Sequence, residues 1–162
     1  DSAPKRMALL HDNLERLGLQ AETMVADVLK WRPAKPFDFI LLDAPCSATG
    51  TIRRHPDIWH LRTAKDVAAA ADLQDKMLQA AIKMLAPGGI LVFCTCSLQP
   101  EEGEARIEAL LASGAPVSRL SVKAAELFGL DMLITLQGDV RTLPHYEGGM
   151  DGFYACRLLR GD

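Results

Sequence analysis

The sequence predicts an α/β domain built around a mostly parallel sheet. Three features carry this reading: helical and strand-like segments alternate, the strand candidates are nearly continuous apolar runs, and those runs end in polar residues. A strand covered on both faces reads as such a run, whereas a half-exposed strand alternates. At 162 residues, 49% hydrophobic and 24% charged, the chain has the size and composition of a single domain, residues 1–162. No apolar run approaches the ~18 residues that a membrane span needs, so no membrane partner is expected. The opening Asp1-Ser2-Ala3-Pro4-Lys5-Arg6 lacks the apolar stretch of a secretory leader. Cys46, Cys94, Cys96 and Cys156 are therefore expected as reduced thiols in a cytoplasmic protein. Cys94-Thr95-Cys96 does not have the ligand spacing of a zinc site, and no metal is expected. The net charge of −3 requires any nucleic-acid role to rest on a local patch or on residues outside this chain.

Each element has its own signal. Pro4 to Leu17 reads as a helix, with Met7, Leu10, Leu14 and Leu17 on one face and Gly18 as its stop. Glu22 to Ala26 reads as a short strand ending at Asp27, and Phe37 to Leu42 as a buried one ending at Asp43. Ser47 to Leu61 is polar and too long for an idle connection, which points to function. Thr63 caps an alanine-rich helix to Leu85, with Leu78, Ile82 and Leu85 on its buried stripe. Ala86-Pro87-Gly88-Gly89 turns into a strand from Ile90 to Cys94. Pro100, Glu101, Glu102 and Glu104 open a helix reaching about Leu111, where acidic residues suit the helix dipole. Strands are expected at Met132 to Leu136 and Phe153 to Leu159. In parallel sheets, chemistry gathers beyond the carboxyl ends of the strands. Asp27, Asp43 and Thr95-Cys96-Ser97 all stand there.

Two of these strand ends carry a resemblance. Asp43-Ala44-Pro45-Cys46-Ser47-Ala48-Thr49-Gly50 and Thr95-Cys96-Ser97 resemble the two cysteine motifs of RNA (cytosine-5)-methyltransferases, most closely the bacterial Sun/Fmu type that modifies small-subunit ribosomal RNA. Arg53-Arg54-His55-Pro56-Asp57-Ile58 and Glu147-Gly148-Gly149-Met150-Asp151-Gly152-Phe153-Tyr154 also look like that group's sequences. The resemblance implies a Rossmann-like class I methyltransferase fold and S-adenosyl-L-methionine as cofactor. It implies that Cys96 is the nucleophile, that Cys46 assists release, and that Asp43 holds the cytosine edge. The chemical need is real: carbon 5 of cytosine becomes nucleophilic only once a thiolate has added at carbon 6. Asp1 matches the carboxylate that takes the ribose hydroxyls, Asp27 the position beside the adenine, and Asp43 completes the cofactor side. Arg53 and Arg54, beside the Pro-Cys loop, are candidate RNA-phosphate contacts or ordinary surface charges. Cys94 and Cys156 read as core, Trp31 and Trp59 as packing residues, and Glu101, Glu102 and Glu104 as a helix start.

Nothing in the chain matches the family's glycine-rich cofactor loop. The resemblance therefore implies a truncated domain lacking its first two strands, the carboxyl-terminal part of a longer, active enzyme, with the isolated fragment inactive. Its apolar sheet edge at Phe37 to Leu42 is expected to be covered by residues 22–26 or by self-association. Two other readings stand beside this one: an amino-group methyltransferase, or a folded module without catalysis.

Overall fold

The computed structural model describes residues 1–146 and 148–161. They divide into two compact units, Asp1–Ala34 and Lys35–Asp162. Glu147, at the head of the Glu147–Tyr154 stretch, lies outside the described residues.

In the first unit, helix α1 spans Pro4–Leu17 with proline in its first turn. It stops where Gly18 takes φ 64°, a left-handed value that costs glycine little, and the Gly18 and Leu19 amides close the last turn onto Glu15 and Leu14. Met7 is its one buried residue among those described, while Leu10 and Leu17 stay exposed. The strand expected at Glu22 to Ala26 does not form. Asp1 bonds to this segment through its backbone, its nitrogen donating to Met24 O at 3.3 Å and its carbonyl accepting from Ala26 N at 2.9 Å, and the His11 ring lies 2.7 Å from the Thr23 hydroxyl. The Asp1 backbone bonds have the alternation of a parallel pair, without a strand forming among the described residues.

The second unit is an α/β sheet. Strands β1 (Phe37–Asp43), β2 (Leu85–Thr95), β3 (Val117–Arg119), β4 (Val140–Thr142) and β5 (Phe153–Arg160) run in the order β1-β2-β5-β3, with β4 also pairing β5. Helix α2 is a single turn at Ile58–Leu61, α3 spans Ala64–Met84, and α4 spans Glu104–Ala112. Thr63 caps α3 in a reciprocal box with Asp66, as its position predicts. Leu78 and Ile82 of α3 bury against Leu85, Leu91, Phe93, Tyr154, Cys156 and Leu158 of the sheet. Full burial of each large side chain is worth about 1.5–3 kcal/mol, and this layer holds the strand ends in place.

Several expectations need correction. β1 pairs β2 in parallel, but β5 runs antiparallel to its neighbours β2, β3 and β4, so the described sheet is mixed. Helix α3 supplies the crossover from β1 to β2, and α4 lies on the connection from β2 to β3, which run the same way with β5 inserted between them. Strand β1 is not covered on both faces: Phe39 and Leu41 are 74% and 73% exposed. Among the described strands it lies at the end of the order and pairs with β2 alone. β2 starts at Leu85 and absorbs the Pro87-Gly88-Gly89 turn as an irregularity, its register jumping from Phe37↔Leu85 to Phe39↔Ile90. Met132 to Leu136 is not a strand: Asp131–Leu133 is a 3₁₀ turn, followed by a single bridge between Ile134 and Val140. The helix expected from Pro100 is broken, with a 3₁₀ turn over Pro100–Glu102 and α4 starting only after Gly103.

Candidate active site

Asp43 ends β1 opposite Cys94 of β2, and the next amide, Ala44 N, donates to Cys94 O at 3.0 Å. The two chains leave the sheet side by side, which brings the segments after them together. Cys46 and Cys96 meet there with their sulfurs 3.4 Å apart. Both are half-buried free thiols.

Beneath the sulfurs lies a buried polar cluster. Glu102, fully buried, accepts from Ser47 N at 2.8 Å, Gln74 Nε2 at 3.3 Å and Ser97 Oγ at 2.6 Å, and from the Ser47 hydroxyl. Thr49 Oγ1 lies 3.2 Å from Ser97 Oγ and accepts from Leu98 N at 3.0 Å. The loop also turns through Ala48 at φ 60°, a conformation that costs a non-glycine residue about 1 kcal/mol and needs surrounding bonds to hold it.

The two thiols are electrically unequal. The hydrogen bond from Cys46 lowers the Cys96 thiol from its ordinary value of 9.0 to about 7, against burial and the nearby Asp43 charge, which raise it. The same contact, with burial second, pushes Cys46 far up. One ionised sulfur is thus favoured, held by the proton of the other. Cys94 is pushed up to about 12, by burial first and by Asp43, to which its thiol donates at 3.8 Å. Burial also lifts Cys156 to about 12. Both are inert core thiols, as their positions predict.

Arg53 and Arg54 converge on Asp151: Arg54 Nε donates at 2.7 Å, its Nη2 pairs with the same oxygen, and Arg53 Nη1 stands 3.5 Å from the other. Both guanidiniums stay about half exposed. Trp59 does not pack; it is 74% exposed on α2. Arg62, just beyond α2, donates from Nε to Ser47 O at 3.1 Å.

The remaining two candidates lie in the first unit. Asp1 accepts from Ala3 N at 2.8 Å and Arg6 at 3.1 Å, both on one oxygen. Asp27 accepts from Leu29 N at 3.0 Å. Each side chain remains over a third exposed, with lone pairs open to a vicinal diol. Each carboxylate has the acceptor chemistry that the hydroxyls of a nucleoside sugar need.

Sequence reasoning missed Glu102 and Gln74. Glu102 looks like one more acidic residue at a helix start. The signal was Gly103 behind it, which breaks the helix and turns that side chain inward; a Cβ on Gly103 would lie 2.9 Å from Arg141 Nη2 and 3.1 Å from the Tyr154 ring.

A curated relative, ribosomal RNA small subunit methyltransferase B of Sodalis glossinidius, is 53% identical over 96% of the chain. The protein of that name in Pseudomonas syringae pv. tomato is 45% identical over 99% of the chain. The chain spans about a third of the length of these relatives, 34% and 36%. The crystal structure of NSun6 from Pyrococcus horikoshii with SFG superposes with a TM-score of 0.82 at 27% identity, over 100% of this chain and 40% of that one. The family model described as 16S rRNA methyltransferase RsmB/F matches residues 1–159, and the chain belongs to that family.

Proposed function

We propose that the protein containing this chain methylates carbon 5 of cytosine in small-subunit ribosomal RNA, in the cytoplasm, through a covalent cysteine adduct. The observation that carries the reading is the pair of sulfurs at 3.4 Å, one of them favoured as a thiolate near neutral pH. A methyltransferase acting on an amino group needs no such pair.

The chain's residues divide the work. Cys96 adds its thiolate to carbon 6, forming a carbon–sulfur bond, while Asp43 holds the cytosine edge where charge gathers on the ring. S-adenosyl-L-methionine, when bound, supplies the electrophilic methyl group that carbon 5 then takes. Asp1 and Asp27 hold the cofactor's ribose and adenine ends through their open carboxylate oxygens. Cys46 starts as the thiol. Once Cys96 is a neutral thioether, the contact that kept the Cys46 proton in place is gone, and Cys46 ionises more readily. Its thiolate takes the proton from carbon 5; the pair left in the C–H bond restores the ring double bond and expels Cys96 as thiolate. Arg53 and Arg54 contact the RNA backbone.

The test is to map the modified base by mass spectrometry in ribosomal RNA treated with the full-length protein. 5-Methylcytosine is the expected product, and a methylated exocyclic nitrogen would overturn the reading.

A further inference from the structure

Each cysteine of the pair is flanked on both sides by residues tied to one buried group. Cys46 sits between Pro45, whose carbonyl accepts from Gln74 Nε2 at 2.8 Å, and Ser47, held by Glu102 through its amide and hydroxyl. Gln74 itself donates to Glu102 at 3.3 Å. Cys96 sits between Thr95, whose hydroxyl donates to the Glu102 carbonyl at 3.1 Å, and Ser97, whose hydroxyl donates to its carboxylate at 2.6 Å. Glu102 is fully buried, and no cation stands among these partners. A carboxylate in that setting is costly unless hydrogen bonds fill its lone pairs, and here donors from the two loops and from α3 fill them.

We propose that Glu102 is the positioning residue of the two-cysteine site: its carboxylate fastens the loop after β1 to the turn after β2 and so sets the distance between Cys46 and Cys96. It touches neither sulfur in a hydrogen bond and takes no part in bond making. The inference rests on the two-cysteine reading above, in which the sulfurs must hand a proton burden from one to the other. A second consequence follows from charge. Glu102 raises both thiols through space, against the Cys46 hydrogen bond that lowers Cys96. The other ionisable groups facing Cys96 are Asp43, Cys94 and Arg54.

The test uses the full-length protein without RNA, so that its failure is separate from any failure of the cytosine chemistry. Two readouts are followed: the rate at which diamide closes a Cys46–Cys96 disulfide, and the pH midpoint of Cys96 alkylation by iodoacetamide, both by peptide mass spectrometry. Glu102→Ala frees the loops, and disulfide closure slows by about tenfold or more as effective concentration is lost. Its alkylation midpoint rises towards the ordinary thiol value, since the Cys46 hydrogen bond is the larger influence. Glu102→Gln keeps the shape and most of the bonds but removes the charge. Closure stays within about threefold of the wild type, the chemical shape being conserved, and the midpoint falls. Opposite movements of the midpoint in the two variants are not produced by a general loss of stability. Unchanged closure in a folded Glu102→Ala protein would overturn the proposal. Should that variant fail to fold, a Gln variant whose closure collapses or whose midpoint does not fall overturns it equally.

Discussion

Gly50 and Gly152 lie back to back, with Gly152 N donating to Gly50 O at 2.7 Å and Gly50 N donating to Cys96 O at 3.0 Å. A Cβ on Gly50 would come 2.0 Å from Gly152 O and 2.9 Å from Cys96 O, both backbone atoms. This contact joins three stretches distant in sequence: the Pro-Cys loop, the Thr-Cys-Ser turn and the segment leading into β5. Gly50→Ala is therefore expected to destabilise the protein by more than about 2 kcal/mol, as overpacking against an immovable wall does. Urea denaturation measures this directly. A loss below 0.5 kcal/mol, roughly the size of a neutral surface change, would show that the loops part easily.

The two cysteines are expected to fail differently in the full-length protein. Cys96→Ala removes the nucleophile and abolishes both turnover and covalent attachment. Cys46→Ala leaves the nucleophile but removes the base that takes the carbon 5 proton, so a protein–RNA adduct accumulates. Denaturing gels of both variants with substrate RNA and cofactor separate these outcomes. An adduct with the Cys96 variant and none with the Cys46 variant would exchange the two assignments.

The same pair sets a pH dependence without any substrate. Below about pH 7 Cys96 is a thiol; as pH rises through that value it becomes the thiolate, so iodoacetamide alkylation there should reach half its maximum near pH 7. Cys94 and Cys156, pushed up to about 12 by burial, should stay unlabelled across the neutral range. Removing the Cys46 proton donor raises the Cys96 midpoint, so Cys46→Ala at pH 7 should label more slowly than the wild type. Peptide-resolved mass spectrometry distinguishes the sites. Equal labelling of Cys96 in both proteins would mean that the sulfur contact does not stabilise the thiolate.

Arg53 and Arg54 share Asp151, whose carboxyl they hold below its usual range, Arg54 chiefly. The ion pair fixes the loop but leaves each guanidinium about half exposed, free to reach a second anion. Replacing both by alanine in the full-length protein is expected to weaken RNA binding and to lower its salt slope by about 1 for each phosphate no longer neutralised. Filter binding across a salt series measures the slope. A lower affinity with an unchanged slope would restrict the pair to holding Asp151.

Much of this site was legible in the sequence because its positions follow from local rules. Phe37 to Leu42 and Ile90 to Cys94 are apolar runs that end in polar residues, so Asp43 and Cys96 had to emerge at one end of a sheet. Thr63 and Asp66 announce the start of α3. What escaped depends on contacts between distant segments. Nothing near Glu102 in sequence tells that Ser47, 55 residues earlier, will donate to it. The strands at Val117–Arg119 and Val140–Thr142 are three residues each, too short to leave a period-2 pattern, and they exist because β5, paired to β2 along one edge, offers its other edge to them.

Those short strands also frame a buried charge that composition does not reveal. Asp139, 1% exposed, accepts from Arg119 Nε at 3.0 Å on one oxygen and from the Tyr154 hydroxyl at 2.6 Å on the other. Arg119 lies on β3 and Tyr154 on β5, and Arg141 of β4 covers the Tyr154 ring at 4.9 Å. Burial and the bond to Asp139 both push the tyrosine hydroxyl far up, so it acts as a donor at every physiological pH. Removing the carboxylate strands a guanidinium and a phenol that were paired inside the protein. Asp139→Ala is thus expected to cost about 3–5 kcal/mol, the usual penalty for breaking a buried pair from one side. Arg119 keeps Glu108 at 3.0 Å as a partial substitute, which places the loss near the lower end. Tyr154→Phe removes one neutral donor and should cost about 1–3 kcal/mol. Because both changes strip the same carboxylate bond, the double variant should lose less than the two single losses added together. Urea denaturation of the three variants supplies the cycle, and strict additivity would mean that Tyr154 and Asp139 do not act on one another.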